Sequence, residues 1–170
     1  MVNNKSLIKK AVKSQRSAAD PTSSVWVSAS AGTGKTKVLT DRVLSLLVTG
    51  SEPQKLICLT FTKAAAAEME SRIAEQLGKW VMMGDKDLNF ELNNLLGKDP
   101  NSDQIRRARQ LFALVLDTPG GMHIETIHAL CQSLLRRFPL EANIPPHFNL
   151  MDDKDANELL LQAREEVLAR

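Results

Sequence analysis

With 170 residues, 43% of them hydrophobic and 25% charged, the chain has the composition of one ordinary globular domain, large enough to bury a core. A net charge of +2 is too small to argue for nucleic acid by itself, and no apolar run approaches the ~20 residues needed to cross a membrane. Cys58 and Cys131 sit in apolar runs and are expected to be buried thiols of a reducing compartment, which points to the cytoplasm. The N-terminus lacks the apolar core of a secretory signal. Its Lys5, Lys9, Lys10, Lys13 and Arg16, all ahead of the first acidic residue, read as a basic helix rather than a transit peptide.

Residues 6–19 carry Leu7, Ile8, Ala11 and Val12 on one side, which predicts a helix that stops at the turn pair Asp20-Pro21. Gln15 lies near its end. A side-chain amide there can match the N6 donor and N7 acceptor of adenine, although spacing alone favours a solvated surface Gln. Ser24 to Ser28 alternates apolar and small polar residues and is expected to be a strand. Next comes Ala29-Ser30-Ala31-Gly32-Thr33-Gly34-Lys35-Thr36, which fits the phosphate-loop pattern G-x-x-x-x-G-K-[ST] with Ala at the first position. Residues 35–48 follow with a helical stripe of Val38, Leu39, Val43, Leu46 and Leu47, so the motif has the strand–loop–helix context it needs. Gly32 and Gly34 let the backbone turn its N–H groups around an anion. The helix N-terminus adds partial positive charge. Lys35 would then reach the β- and γ-phosphates and the Thr36 hydroxyl would hold Mg²⁺.

Residues 55–61 are short, apolar and bounded by turn residues, as a buried strand would be. Strand, loop, helix and strand together predict a right-handed βαβ unit, hence an α/β fold with a parallel sheet and flanking helices. Thr62 is a plausible N-cap for a helix with Met69, Ile73 and Leu77 in phase and Trp80 near its end. Residues 83–102 are polar, with an apolar island at Leu92, Leu95 and Leu96, and read as a variable insertion holding one short helix. Residues 104–116 are helical, with Ile105, Ala108, Leu111, Phe112 and Val115 in phase and Arg106, Arg107 and Arg109 mostly off that stripe. After the break at 118–121, residues 122–125 fit a short strand. Thr126 is expected to cap a helix over 127–137, and 148–151 fit another strand. A last helix is expected from the N-cap Asp152, with Asp155 completing a carboxylate capping box. It carries no stop signal, so the chain reads as cut rather than finished.

Rival chemistries are weaker. His123 and His128 stand five apart without an acidic or Cys ligand set, so no metal site is expected beyond Mg²⁺ held through a nucleotide. No Ser-His-Asp arrangement is legible. Leu114 to Gly120 resembles the apolar run plus D-x-x-G of a small P-loop GTPase, with Asp117 near Mg²⁺ and Gly120 at the γ-phosphate. Against this, the run has helical period with arginines interleaved, and no N-K-x-D stretch follows. A non-catalytic nucleotide-binding or interaction fragment is the other alternative.

Four blocks together resemble the superfamily 1 DNA helicases of the UvrD/RecB kind: Gln15-Arg16, ASAGTGKT at 29–36, LTFTKAAAAEMESRI at 59–73 and GGMHIETIHALCQSLLRRFP at 120–139. Within that group the chain resembles the N-terminal end of the AddA family of helicase–nucleases in its alphaproteobacterial form. Lys63 and Ala64 stand where the UvrD pattern has Asn and Lys, a departure that favours the RecB and AddA branches.

The resemblance implies a P-loop NTPase fold, with residues 1–170 forming the N-terminal part of the first RecA-like domain. It implies ATP and Mg²⁺ as cofactors, with Gln15 on adenine, residues 29–36 around the triphosphate, and Lys35 and Thr36 as the catalytic pair. It places single-stranded DNA on Thr60, Phe61 and Thr62 and on Thr126 and His128. For Phe61 a core position is the equal alternative, and for His128 a buried, satisfied histidine is the other choice. It also implies an AddB-like partner protein, and 3′-to-5′ translocation in double-strand-break repair. No acidic pair follows an apolar strand within the 170 residues, so the fragment alone is expected to bind ATP without hydrolysing it.

Overall fold

The structure is a computed structural model that describes residues 4–28, 30, 32, 34–151 and 153–169. It divides into two compact units, residues 1–127 and 128–170. In the first unit the described elements are α1 (Asn4–Ala19), α2 (Lys35–Val48), a 3-10 turn (Pro53–Lys55), β1 (Ile57–Thr60), α3 (Lys63–Met82), α4 (Asp85–Leu96), α5 (Ser102–Leu116) and β2 (His123–Thr126).

Four helices share one core. Each buries residues at helical spacing: Val43, Leu44, Leu47 and Val48 from α2; Met69, Ile73, Leu77 and Trp80 from α3; Leu88 and Leu92 from α4; Ala108 and Leu111 from α5. The ends of these helices follow local chemistry. Thr62 caps α3, its hydroxyl accepting from the Ala65 N–H at 3.1 Å. Asn101 and Gln104 form a reciprocal capping box on α5. Residues 83–102, expected to be a variable insertion with one short helix, supply the short helix α4, and its Leu88 and Leu92 are completely buried.

Two arginines of α5 make contacts that helical periodicity does not show. Arg107 donates to the carbonyls of Leu47 at 2.6 Å and Ser51 at 2.8 Å, closing the end of α2. Arg109 donates to the carbonyls of Trp80 (3.3 Å), Val81 (3.2 Å) and Met83 (2.9 Å) and to the Asp85 carboxylate (2.7 Å). It thereby satisfies the end of α3, where helical carbonyls lose their intrahelical donors.

The sheet among the described residues is the parallel pair β1–β2, in register from Ile57 opposite His123 to Thr60 opposite Thr126. Cys58 and Ile124 face the core, whereas Ile57 (58% exposed) and Leu59 (47%) alternate to the other side. The expectation of a buried strand is therefore corrected: only one face of β1 meets the helices. Burial on that face pushes the Cys58 thiol above its usual range.

Other expectations are corrected too. Residues 24–28 form no strand, and Trp26 is 93% exposed. An alternating pattern says which residues share a face, but a strand also needs a hydrogen-bonded neighbour, and β1 and β2 take each other. Residues 148–151 form no strand for the same reason. Cys131 is exposed rather than buried. The run 114–116 closes helix α5, with Asp117 as its C-cap, so the GTPase-like reading of Asp117 and Gly120 loses the strand it requires.

The second unit carries α6 (Ile127–Arg137) from residue 128 onward and α7 (Asp153–Leu168). No described residue of α6 is buried, and His128 is exposed, not the buried histidine weighed for it. The Arg137 guanidinium lies over the Phe138 ring, 5.9 Å from its centroid. The N-cap expected at Asp152 lies outside the described residues.

Candidate functional site

The loop before α2 is built by two glycines with positive φ. Gly34, the residue preceding the helix, has φ 86° and ψ 24°, and Gly32 has φ 76°. Both values lie in the left-handed region that other residues enter at a cost. Gly34 has no side chain with which to cap α2, and the N-terminal turn of a helix carries backbone N–H groups that an anion can accept from. The Lys35 ammonium folds back and donates to the Ser30 carbonyl at 2.7 Å. Gly32, Gly34, Lys35, Thr36, Lys37 and Arg72 line an open cavity of about 400 Å³. Of the expected loop residues, Ala29, Ala31 and Thr33 lie outside the described residues.

Gln15 lies beside this loop. A Cβ added at Gly34 would sit 3.2 Å from Gln15 Nε2, so the amide at the end of α1 reaches the phosphate loop. The structure thus brings Gln15 beside the loop that holds Ser30, Gly32, Gly34, Lys35 and Thr36.

Three further residues at or beside the site were not found from sequence. Lys37 and Arg72 add cations to the cavity. Arg72 donates to the Glu68 carboxylate one turn back, at 2.6 Å, which in sequence reads as a routine surface helix pair. Arg42 of α2 donates to the carbonyls of Ala18 (3.2 Å), Asp20 (2.6 Å) and Ser23 (2.6 Å), clamping the end of α1 and the turn behind it. In that turn the Asp20 carboxylate accepts from the Thr22 N–H and hydroxyl, and the backbone bond above all holds its pKa below the usual value.

Four of the residues expected to meet DNA, Thr60, Phe61, Thr62 and Thr126, lie at one end of the sheet. Thr60 and Thr126 are register partners at the C-terminal ends of β1 and β2, and each strand runs straight into a helix, α3 or α6. The Thr60 hydroxyl accepts from the Thr62 N–H at 3.2 Å, which fixes the turn that displays Phe61. Phe61 is 83% exposed, so the core alternative for it is set aside. Thr126 is buried. His128 stands exposed on the first turn of α6 and falls in the second unit.

The family model of the UvrD/REP helicase N-terminal domain matches residues 11–169. The chain belongs to that family. Over most of its length it is also similar to proteins named as the AddA component of an ATP-dependent helicase/nuclease. The one from Pediococcus pentosaceus is 32% identical over 151 residues, covering 86% of this chain and 11% of that protein. Those from Lactobacillus johnsonii and Desulforamulus reducens are 36% and 35% identical, over 80% and 85% of this chain and 10% of each relative. The chain therefore spans about a tenth of the length of these curated relatives. The UvrD/REP match runs through both compact units, so the phosphate loop, the β1 and β2 ends and α6 all lie within it. No helix among the described residues is long and apolar enough to cross a membrane.

Proposed function

We propose that this chain is the ATP-binding part of a DNA helicase of the AddA type, a 3′-to-5′ translocase acting in double-strand-break repair in the cytoplasm with an AddB-like partner protein. Its fold is then a partial RecA-like P-loop NTPase domain, with residues 1–170 as the N-terminal part of that domain. The observation that carries this is the Gly34 cradle: a left-handed glycine at the foot of α2, with the Gln15 amide against it and Lys35 and Thr36 lining the same cavity.

These residues fit a magnesium nucleotide. The glycines leave room for backbone N–H groups to approach phosphate oxygens. Lys35, now hydrogen-bonded to the Ser30 carbonyl, would exchange that neutral acceptor for the triphosphate, and the Thr36 hydroxyl would hold Mg²⁺. Gln15 would read adenine. Single-stranded DNA would lie across the C-terminal ends of β1 and β2, touching Thr60, Phe61, Thr62 and Thr126, with Phe61 as a stacking face worth ~1–3 kcal/mol per base, and His128 of the second unit would be a DNA contact of its own.

Calorimetric titration with ATP–Mg²⁺ tests the reading. The wild-type chain should bind and Lys35→Ala should not, with unchanged circular dichroism because Lys35 is exposed. Equal ATP affinity in the two proteins would sink the assignment.

A further inference from the structure

We infer that Arg72 of α3 is a second phosphate-binding cation for the loop before α2, held beside it by Glu68 and transferred to the triphosphate when nucleotide enters. The inference rests on the ATP-binding reading above and adds to that site a residue from outside the loop. Of the described residues that line the phosphate cavity, Gly32, Gly34, Lys35, Thr36 and Lys37 belong to the loop and the first turn of α2. Only Arg72 is brought there by another element. With Lys35 and Lys37 it makes three cations against no carboxylate among these lining residues, so positive charge gathers where a nucleotide would place its phosphates.

The core fixes the backbone that carries Arg72. Its chain neighbour Ile73 is completely buried, and Met69, one turn earlier, is buried against the same helices. The guanidinium donates twice to a single oxygen, Glu68 Oε1, from Nε at 3.0 Å and from Nη2 at 2.6 Å. A guanidinium fork is matched best by two separate oxygens that accept in parallel, so Glu68 uses only part of it. Both side chains of the pair are about half exposed, at 50% and 56%, and an exposed pair one helical turn apart contributes little to stability. A phosphoryl group offers separate oxygens and more negative charge. Exchanging Glu68 for it therefore costs little and gains charge-assisted bonds at both nitrogens. Before nucleotide enters, Glu68 keeps the guanidinium at the cavity. Once phosphates arrive, its carboxylate competes with them for the same cation.

Calorimetry of the 170-residue chain with ATP–Mg²⁺ and with tripolyphosphate–Mg²⁺ tests this. Arg72→Ala should weaken both about tenfold, the worth of one hydrogen bond between charged groups. Arg72→Gln keeps most of the stem and should lose as much, which covers the case where the alanine variant fails to fold. Glu68→Gln removes the competing carboxylate and should tighten both about two- to threefold. That sign separates the inference from a structural role for the pair, in which breaking it from either side would weaken binding alike. A loss under about threefold in folded Arg72→Ala or Arg72→Gln overturns the inference while leaving ATP binding intact. Weaker binding in Glu68→Gln than in wild type does the same, as does an Arg72→Ala loss for ATP with none for tripolyphosphate, which would put Arg72 on the nucleoside. Wild type that binds no ATP defeats the reading above and this inference with it.

Discussion

At the scale of single residues, the two loop glycines do different jobs. Both have positive φ, so an alanine at either carries a backbone cost of ~1–3 kcal/mol. At Gly32 a Cβ meets nothing within 4 Å, whereas at Gly34 it meets the Gln15 amide at 3.2 Å. Gly34→Ala should therefore weaken ATP–Mg²⁺ binding more than Gly32→Ala. Adding Gln15→Ala to Gly34→Ala should recover part of the thermal stability that Gly34→Ala loses. Melting curves and titrations of the single and double variants check this; equal effects at the two glycines would show that the Gln15 contact contributes nothing. The turn at Gly32 and Gly34 was legible because the motif is local, a run of eight residues that carries its own backbone geometry. Gln15 was singled out through the family resemblance alone, since nothing in its own surroundings separates it from a surface glutamine. Its nearness to Gly34 depends on how α1 docks.

Among the elements, helices were easier to anticipate than strands, and the physics explains the difference. The stripes of α2, α3 and α5 and the Thr62 cap are encoded within a few residues, because a helix satisfies its own backbone. A strand satisfies its backbone only through a neighbour. Residues 24–28 have a strand's alternation, yet they pair with nothing among the described residues, while the less regular 123–126 pairs with β1. Arginine contacts were the other blind spot. Arg106, Arg107 and Arg109 look alike in sequence, but only the last two close helix ends, at partners 24 to 60 residues away. Arg109→Ala should cost about 2–3 kcal/mol, from three carbonyls at the end of α3 left without this donor. The Asp85 pair adds little, since that carboxylate is 84% exposed. Arg109→Lys should recover only part of the loss, because an ammonium cannot reproduce the guanidinium fork. Arg106→Ala, which removes only an exposed pair with Asp103, should stay within about 0.5 kcal/mol. Urea unfolding of the three variants gives the comparison; equal losses for Arg106→Ala and Arg109→Ala would contradict it.

At the scale of the whole molecule, binding and hydrolysis are expected to separate. Cleaving ATP needs a positioned water, a carboxylate at the metal and charge stabilisation on the transferred phosphoryl group, of which an arginine finger alone supplies ~10³–10⁵ in rate. Within these 170 residues neither strand runs into an acidic pair: β1 is followed by Phe61 and Thr62, and β2 by Ile127. Glu125 lies inside β2, opposite Leu59, and not at the strand's end. Asp117, the one acidic residue directly after a long apolar run, caps helix α5 in right-handed geometry. A carboxylate at a helix end in a turn is placed by that helix and not by a strand of the sheet that would aim it at the phosphate loop. The 170-residue chain should therefore bind ATP–Mg²⁺ and release phosphate at background rate, with or without single-stranded DNA, and Asp117→Asn should leave ATP affinity unchanged. A phosphate-release assay on both proteins decides the point. DNA-stimulated turnover in the wild type that disappears in Asp117→Asn would mean that Asp117 reaches the metal, and that the catalytic machinery is carried by this part of the chain after all.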